Sequence, residues 1–145
     1  MNLGTLLLGA YRAFDRALFA AFEAQGHGEL KSKHGAVLAN VERDGTRPSV
    51  LADRAGVTRP SMGELIDDLE HLGYVRRVVD PSDRRAKLVV LTSKGLDVVL
   101  VAESAIARIE AEWRERLGER RFAALRAALA DAAGGEPDYQ PRARR

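Results

Sequence analysis

Basic side chains surround one predicted turn in the second half of the chain. Residues 80–83 read Asp-Pro-Ser-Asp, which favours a turn, and β-forming residues flank them at 74–79 and 86–91. The basic residues of this predicted hairpin are Arg76, Arg77, Arg84, Arg85 and Lys87. A two-stranded ribbon with arginines at its tip can straddle a phosphate backbone and place a guanidinium in a minor groove. The alternative is a solvated, charged turn.

A second group of candidate residues lies at the start of a predicted helix. Thr58 is a strong N-cap residue and Pro60 is tolerated only in a first helical turn, so the helix begins near Arg59. Residues 58–63 are neutral or basic, whereas Asp67, Asp68 and Glu70 make the end acidic. Because carboxylates are repelled by phosphates, only the N-terminal half of this helix can enter a major groove.

Three side chains in that half could read bases. Arg59 can form two hydrogen bonds with guanine, Glu64 can accept a hydrogen bond from cytosine, and the Ser61 hydroxyl can donate or accept one. Thr58 and Pro60 lie beside them at the helix start. Arg59 could instead hold only a phosphate, and Glu64 could merely complement the helix dipole. Gly63 lowers helix stability by about 1 kcal/mol relative to alanine. The two possible reasons for a glycine here are close packing and close approach to DNA.

The elements around these residues form a helix-turn-helix. Ser49 is placed to cap a short first helix that Gly56 ends. The second helix has a buried stripe and stops at Gly73. The members of the stripe are Met62, Leu65, Ile66, Leu69 and Leu72. Two helices followed by two strands indicate a winged helix-turn-helix.

Helices are predicted on both sides of this module. The first ends around Gln25 to Gly28, and a second runs from about Leu30 to Asp44. After the hairpin, Thr92 or Ser93 caps a long helix to about Leu117, and a shorter helix follows that Gly134 and Gly135 terminate. Residues 136–145 are polar, basic and Pro-containing, which is typical of disorder.

The outer helices carry more apolar surface than one chain can cover. The first is apolar around much of its circumference, and the long helix has a heptad-like seam that includes Val99 and Ala102. These features predict a dimerisation platform. The candidate contacts are Leu7, Phe14, Ile106, Ile109, Trp113 and Leu125.

The module resembles the MarR family of bacterial transcription regulators. The resemblance rests on L-A-D-R-A-G-V-T-R-P-S-M at 51–62, L-I-D-D-L-E-H-L-G-Y-V-R-R at 65–77 and D-P-S-D-R-R-A-K-L-V-V-L-T-S-K-G at 80–95. The most specific part is the wing signature D-x-x-D-R-R-x-x-x-V-x-L-T-x-x-G. The flanking helices fit the family's layout, so the resemblance covers nearly the whole chain.

The resemblance implies several roles. Asp83 pairs with a neighbouring arginine to stiffen the wing while another enters the minor groove, with Arg84 and Arg85 at the matching positions. A very short strand before the first helix of the module joins the hairpin, and Arg47 there reaches a phosphate or is merely solvated. Family dimers read inverted repeats and often bind aromatic acids. Tyr11, His34 and Trp113 could line such a pocket, or could be core.

Other function classes find little support in the sequence. The 145 residues include no cysteine, which excludes disulfides and thiolate chemistry. His27, His34 and His71 lie in unrelated segments without carboxylates at ligand spacing, so neither a metal nor a cofactor is expected. There is no catalytic constellation, no credible signal peptide and no stretch of transmembrane length. The formal net charge of +2 does not oppose DNA binding, because the arginines are concentrated locally.

The sequence therefore predicts a cytoplasmic, homodimeric regulator that is not an enzyme. Its fold class is mostly α with a small β-hairpin wing, in which N- and C-terminal dimerisation helices flank a winged helix-turn-helix. The single domain divides into dimerisation helices at 1–28 and 93–133, a DNA-binding module at 30–92 and a disordered basic tail at 134–145. The partners are double-stranded DNA, a second copy and a possible small-molecule effector. The alternative is a winged-helix protein-interaction module without DNA readout.

Overall fold

A computed structural model describes residues 1–135 of the chain. The helices are α1 (Leu3–Ala24), α2 (Gly35–Leu38), α3 (Pro48–Ala55), α4 (Arg59–His71), α5 (Ser93–Leu117) and α6 (Glu119–Ala132), with a 3₁₀ turn at Ser32–His34 before α2. The strands are β1 (Val75–Asp80) and β2 (Asp83–Leu91). This confirms the predicted fold class, a mostly helical chain with a β-hairpin wing. Residues 136–145 of the predicted tail lie outside the described residues.

Helices α3 and α4 form the helix-turn-helix. As predicted, the Thr58 hydroxyl caps α4 by accepting from the Ser61 amide at 3.2 Å, and Gly56 ends α3 with φ +66°. The prediction that Ser49 caps α3 is wrong. Arg47 is the N-cap, because Pro48 has a fixed φ and no amide hydrogen and so suits the first helical position.

The predicted helix from Leu30 to Asp44 is much shorter in the structure, where α2 ends at Leu38. In a continuing helix the Ala36 carbonyl would accept from the Asn40 amide, but it accepts from the Asn40 side chain at 2.8 Å. The Glu42 amide then donates to the Thr46 hydroxyl at 2.9 Å. Side-chain bonds to the backbone thus compete with the helix and end it early.

The wing is an antiparallel hairpin that pairs Val75 with Leu91 and continues outward to the turn. Thr46 exchanges two backbone hydrogen bonds with Val89, at 3.0 and 2.9 Å, which confirms the short joining strand that the family resemblance implies. Val89 is fully buried, and Leu91 is half-buried. The central hydrogen-bonded strand of the wing is therefore β2.

The wing leads directly into α5, whose first turn packs on the end of α4. Thr92 caps α5 by accepting from the Gly95 amide at 3.1 Å. A Cβ atom on Gly95 would lie 2.1 Å from the Tyr74 carbonyl oxygen, so only glycine fits there. This contact gives a steric reason for the last glycine of the wing signature.

The outer helices pack on one another. Both α1 and α6 contact α5, and the rings of Phe14 and Trp113 meet edge to face with centroids 6.1 Å apart. The N-terminal half of α1 leaves large apolar side chains exposed. These are Leu3, Leu6, Leu7, Leu8 and Tyr11. Within the described residues, no helix is long and apolar enough to span a bilayer.

Candidate nucleic-acid interface

The start of α4 presents an exposed surface without carboxylates before Glu64. Arg59 and Pro60 are exposed, and the Thr58 hydroxyl donates to the Ser61 hydroxyl at 2.9 Å. A Cβ on Gly63 would meet nothing within 4 Å among residues 1–135, so close packing within this part of the chain does not explain the glycine. The N-terminal half of α4 is thus sterically open and offers side-chain and helix-terminal amide donors to an anion.

Basic side chains neutralise the acidic end of α4. Arg77 on β1 contacts Asp67 at 2.8 Å and Glu70 at 3.0 Å, and its Nη2 donates to the Gly63 carbonyl at 3.5 Å. Lys33 lies 3.1 Å from Asp68, and this hydrogen bond is the main reason that the pKa of Asp68 is lowered. Repulsion between the acidic turn and a nearby phosphate backbone is correspondingly weakened.

These contacts give Arg77 a different position from the one that its place on the hairpin suggested. Its guanidinium is engaged by α4, and its backbone amide also donates to Glu70 at 2.9 Å. Arg77 therefore braces the wing against α4, the candidate recognition helix, whose start is predicted to enter a major groove. Its predicted direct contact with DNA stays a prediction.

The wing tip is exposed and basic. Asp83 accepts from the Arg85 backbone amide at 3.0 Å and lies 3.4 Å from its Nε, so Arg85 is the neighbouring arginine that pairs with it. The Arg85 side chain is nevertheless 92% exposed. Arg84 and Lys87 are exposed as well. The entry of Arg84 or Arg85 into a minor groove stays a prediction.

The base of the wing turn is fixed by a buried carboxylate. Asp80 accepts from the Ser82 amide and hydroxyl, each at 2.8 Å, and from Arg47 at 2.9 and 2.8 Å. The Ser82 bonds and then the Arg47 guanidinium lower the pKa of Asp80 to about 2. Arg47 is thus paired with the wing, a contact that neither the phosphate interpretation nor the solvated one anticipated.

The structure brings most of the predicted DNA-binding residues onto two adjoining elements. The start of α4 contributes Thr58, Arg59, Pro60, Ser61 and Glu64, and the wing contributes Arg84, Arg85 and Lys87. Arg77 joins the wing to α4, whereas Arg47 joins the start of α3 to the wing turn. Asp80 was missed as a site residue, although the Asp-Pro-Ser sequence is a signal for an aspartate that bonds the backbone two residues later.

A separate cavity of about 390 Å³ lies between α1, the segment from Leu30 to Ala39 and α5. Its wall is mainly apolar and includes Phe14, Phe22 and Val99. The polar lining residues are Tyr11, Asp15, Lys31, Ser32 and His34. Of the predicted pocket residues, Tyr11 and His34 line it, whereas Trp113, whose ring meets Phe14 edge to face, does not. The size and lining suit a small ligand.

His34 lies between this cavity and the recognition helix. Its Nδ1 accepts from the Lys31 amide at 2.9 Å, and burial lowers its pKa, so the neutral ring carries its hydrogen on Nε2. Nε2 has no hydrogen-bond partner in the described part of the chain, although Asp68 of α4 lies 3.6 Å away. Sequence spacing missed this carboxylate because 34 residues separate it from His34.

The predicted dimer contacts differ in exposure. Leu7 is 45% exposed, and Phe14, Ile106, Trp113 and Leu125 are half-buried. Ile109 is buried at 3% exposure within the single chain. The seam on α5 therefore serves partly to hold α1, and the apolar surface left over for a partner is mainly at the start of α1.

Comparisons with known proteins give a consistent result. Residues 30–86 match the model of the MarR family. The transcriptional regulator HosA of Escherichia coli O111:H- is 28% identical over 106 residues, which are 70% of this chain and 78% of HosA.

Two solved structures resemble nearly the whole chain. The transcriptional repressor CouR, bound to a 23-mer DNA duplex, is 29% identical with a TM-score of 0.72, covering 91% of this chain and 92% of CouR. CouR of Rhodococcus jostii RHA1 bound to p-coumaroyl-CoA is 25% identical, also with a TM-score of 0.72, over 96% and 95% of the two chains.

Proposed function

We propose that the chain is a winged-helix transcription regulator of the MarR family, whose model its residues 30–86 match, and that it is a homodimeric repressor acting in the cytoplasm. It binds an inverted-repeat operator with the start of α4 in the major groove and the wing tip in the adjoining minor groove. A small aromatic acid in the cavity between α1 and α5 releases it from the operator.

The observation that carries this proposal is the presence of two exposed surfaces on one module. The open start of α4 has the shape and charge for a major groove, and the wing tip carries exposed arginines. Arg77 holds the two surfaces together while it neutralises Asp67 and Glu70. A protein-interaction module would have no need for guanidinium groups at the tip and a carboxylate-free helix start.

The dimer and the ligand are supported by separate features. The exposed leucines at the start of α1 favour burial against a second copy, which sets two recognition helices roughly 34–36 Å apart on DNA. In the cavity, the apolar wall suits an aromatic ring and Lys31 suits a carboxylate. The ligand complex of CouR supports a related use of the same fold.

The test starts from operator selection. The purified chain is incubated with a random duplex library, and fluorescence anisotropy then compares the enriched duplex with a scrambled one across a salt series. We expect tight, selective binding with a steep salt slope, and release on adding p-coumaroyl-CoA or a simple aromatic acid. Failure to enrich any sequence, with equally weak binding to both duplexes, contradicts an operator-binding function.

A matched pair of variants locates the interface. Arg84→Ala removes an exposed wing arginine, and Arg120→Ala removes an exposed arginine on α6, far along the chain from the module. We expect only Arg84→Ala to weaken binding. Equal effects of both variants would indicate that general positive charge, and not the wing, attracts the duplex.

A further inference from the structure

The 3₁₀ turn Ser32–His34 lies between the cavity and α4 and makes contacts on both sides. On the cavity side, the Ser32 hydroxyl donates to Asp15 of α1 at 2.5 Å, and both residues belong to the cavity lining. On the other side, the Lys33 ammonium lies 3.1 Å from Asp68 of α4. The turn therefore joins the wall of the cavity to the helix whose start is proposed to read DNA.

The last residue of this turn, His34, carries a buried N–H group without an acceptor. His34 is only 3% exposed, and its Nδ1 atom already accepts from the Lys31 amide, so the hydrogen of the neutral ring is on Nε2. Among residues 1–135, Nε2 is the only buried side-chain nitrogen or oxygen atom without a hydrogen-bond partner. Because a buried donor without an acceptor destabilises the protein, an arrangement that supplies one is favoured at this atom.

A carboxylate of α4 lies just beyond hydrogen-bond distance of this N–H group. The Asp68 oxygen is 3.6 Å from Nε2, whereas an N–H···O bond spans about 2.7–3.2 Å. A relative movement of less than about 1 Å would form the bond. Asp68 would keep its contact with Lys33, because a carboxylate has several acceptor sites. The geometry permits an open arrangement, as in this structure, and a closed one in which His34 donates to α4.

We propose that His34 is a positioning residue that couples the cavity to α4: a molecule in the cavity presses the turn toward α4, and His34 then donates to Asp68. The part that concerns DNA rests on the proposed function above. The operator binds the open arrangement and the aromatic acid favours the closed one, so each weakens the binding of the other. The hydrogen bond gained in the closed arrangement contributes to this difference.

The construction of the cavity favours movement of the turn over movement of the other walls. The opposite walls belong to α1 and α5, two long helices that pack on each other. The turn has three residues and the adjoining α2 has four. Short elements have fewer stabilising contacts and are displaced more easily. Since both the turn and α2 contact α4, a displacement away from the cavity is directed at that helix.

The first measurement tests the hydrogen bond alone and needs neither DNA nor a known ligand. Ala102 of α5 belongs to the cavity lining, so Ala102→Phe fills the cavity with a ring. Ala107→Phe adds the same ring at an exposed position of α5 and is the matched control. Spectra of the ¹H–¹⁵N pairs in the histidine rings detect the Nε2 hydrogen, and His34→Phe assigns its signal by disappearance.

We expect the Nε2 proton of His34 to shift downfield in Ala102→Phe, as a newly formed hydrogen bond requires, and to stay unchanged in Ala107→Phe. Ala102→Leu is the milder substitution if the phenylalanine variant does not fold. An identical signal in the wild type and in the folded, cavity-filled variant would overturn the proposal whether or not the chain binds DNA.

The second measurement is the affinity for the selected operator. We expect Ala102→Phe to weaken binding about tenfold, and to lose most of this effect when combined with His34→Phe, which keeps a ring but has no N–H, or with Asp68→Ala. Lys33→Met is the matched control, because it removes the ion pair with Asp68 but leaves the donor and the acceptor. In that background the tenfold effect should persist.

The two proposals fail in different ways. An undiminished effect of Ala102→Phe in the His34→Phe background would overturn the coupling role of His34. Absence of operator binding in the wild type and in every variant would instead reject the proposed function, and the first measurement would still decide whether filling the cavity closes His34 onto Asp68.

Discussion

At the scale of single residues, Gly63 shows how the lack of a side chain can serve a binding site. It lies within α4, where glycine lowers helix stability, and none of the described residues occupies the space of its missing side chain. The sequence offered close packing or close approach to DNA as reasons. The open space leaves close approach as the better supported one.

We therefore expect Gly63→Ala to separate stability from DNA binding. The free energy of unfolding should rise by about 1 kcal/mol, because alanine is the better helix former and its Cβ meets no obstacle. Operator affinity should fall, because the methyl group lies on the surface that faces the groove. Urea denaturation and anisotropy measure the two effects, and a stabilised protein with unchanged affinity would place Gly63 away from the DNA.

Arg77 allows a second distinction at this scale, between a brace and a phosphate contact. Arg77→Met keeps most of the aliphatic stem but removes the bonds to Asp67 and Glu70. We expect a loss of affinity with an unchanged dependence on salt, because a brace releases no counterions when DNA binds.

Arg84→Met is the matched comparison, since Arg84 is exposed at the wing tip. If it contacts a phosphate, the slope of log affinity against log salt should fall by about 0.9 in this variant. An equal fall in Arg77→Met would show that Arg77 also touches the backbone.

At the scale of elements, the sequence predicted the end of a helix correctly where a single residue determines the backbone conformation. Thr58 and Thr92 fixed the starts of α4 and α5, and Gly56 fixed the end of α3. The end of α2 was not readable, because apolar spacing continues beyond Leu38 while Asn40 and Thr46 bond the backbone instead. Spacing reports which face is buried, and it does not report such competition.

In the candidate site, too, the sequence predicted some features and missed others. Exposed residues such as Arg59 and Arg84 were identified from type and position alone. The bonds of Arg77 to α4, of Arg47 to Asp80 and of Lys33 to Asp68 were not, because each joins segments that only the folded chain brings together. A charge pattern shows where ions lie along the chain, whereas their partners depend on the fold.

The hydrogen bonds of Asp80 at the base of the wing turn lead to a prediction about stability at low pH. The pKa of Asp80 is lowered to about 2 in the folded chain from an ordinary value of about 3.9, so the bonds of Asp80 stabilise the fold above that ordinary value. Their contribution is lost as pH falls toward 2.

Asp80→Asn should therefore be less stable than the wild type at pH 7, and the difference should shrink as the pH is lowered below about 4. Denaturation by urea at several pH values measures it. Glu29 titrates over the same range but is present in both proteins, so it cancels from the comparison. A difference that stays constant with pH would mean that the Asp80 carboxylate charge is not what fixes the turn.

At the scale of the whole molecule, the start of α1 extends apolar side chains that the described part of the chain leaves uncovered. Leu3 is 70% exposed and Leu6 is 54% exposed. Burying one leucine contributes about 2 kcal/mol, so several of them together can stabilise a dimer.

We expect Leu6→Glu combined with Leu7→Glu to raise the dimer dissociation constant by more than tenfold, because two charges would have to be buried at the interface. Sedimentation equilibrium measures the change. Val79→Glu, an exposed apolar residue on the wing, is the control and should leave the dimer intact. A dimer that resists the double variant would place the interface elsewhere, for example on α6.

The order of the strands in the wing also affects how these molecules behave at high concentration. Thr46 covers one side of β2, and β1 covers the other, so β1 has an outer edge whose backbone groups could pair with a strand of another molecule. That edge is covered at Arg77, whose backbone amide donates to Glu70 of α4 at 2.9 Å. An edge amide that is bonded to a side chain cannot pair with another strand, which disfavours sheet-to-sheet aggregation. The contact that braces the wing against α4 thus also protects the open edge of the wing.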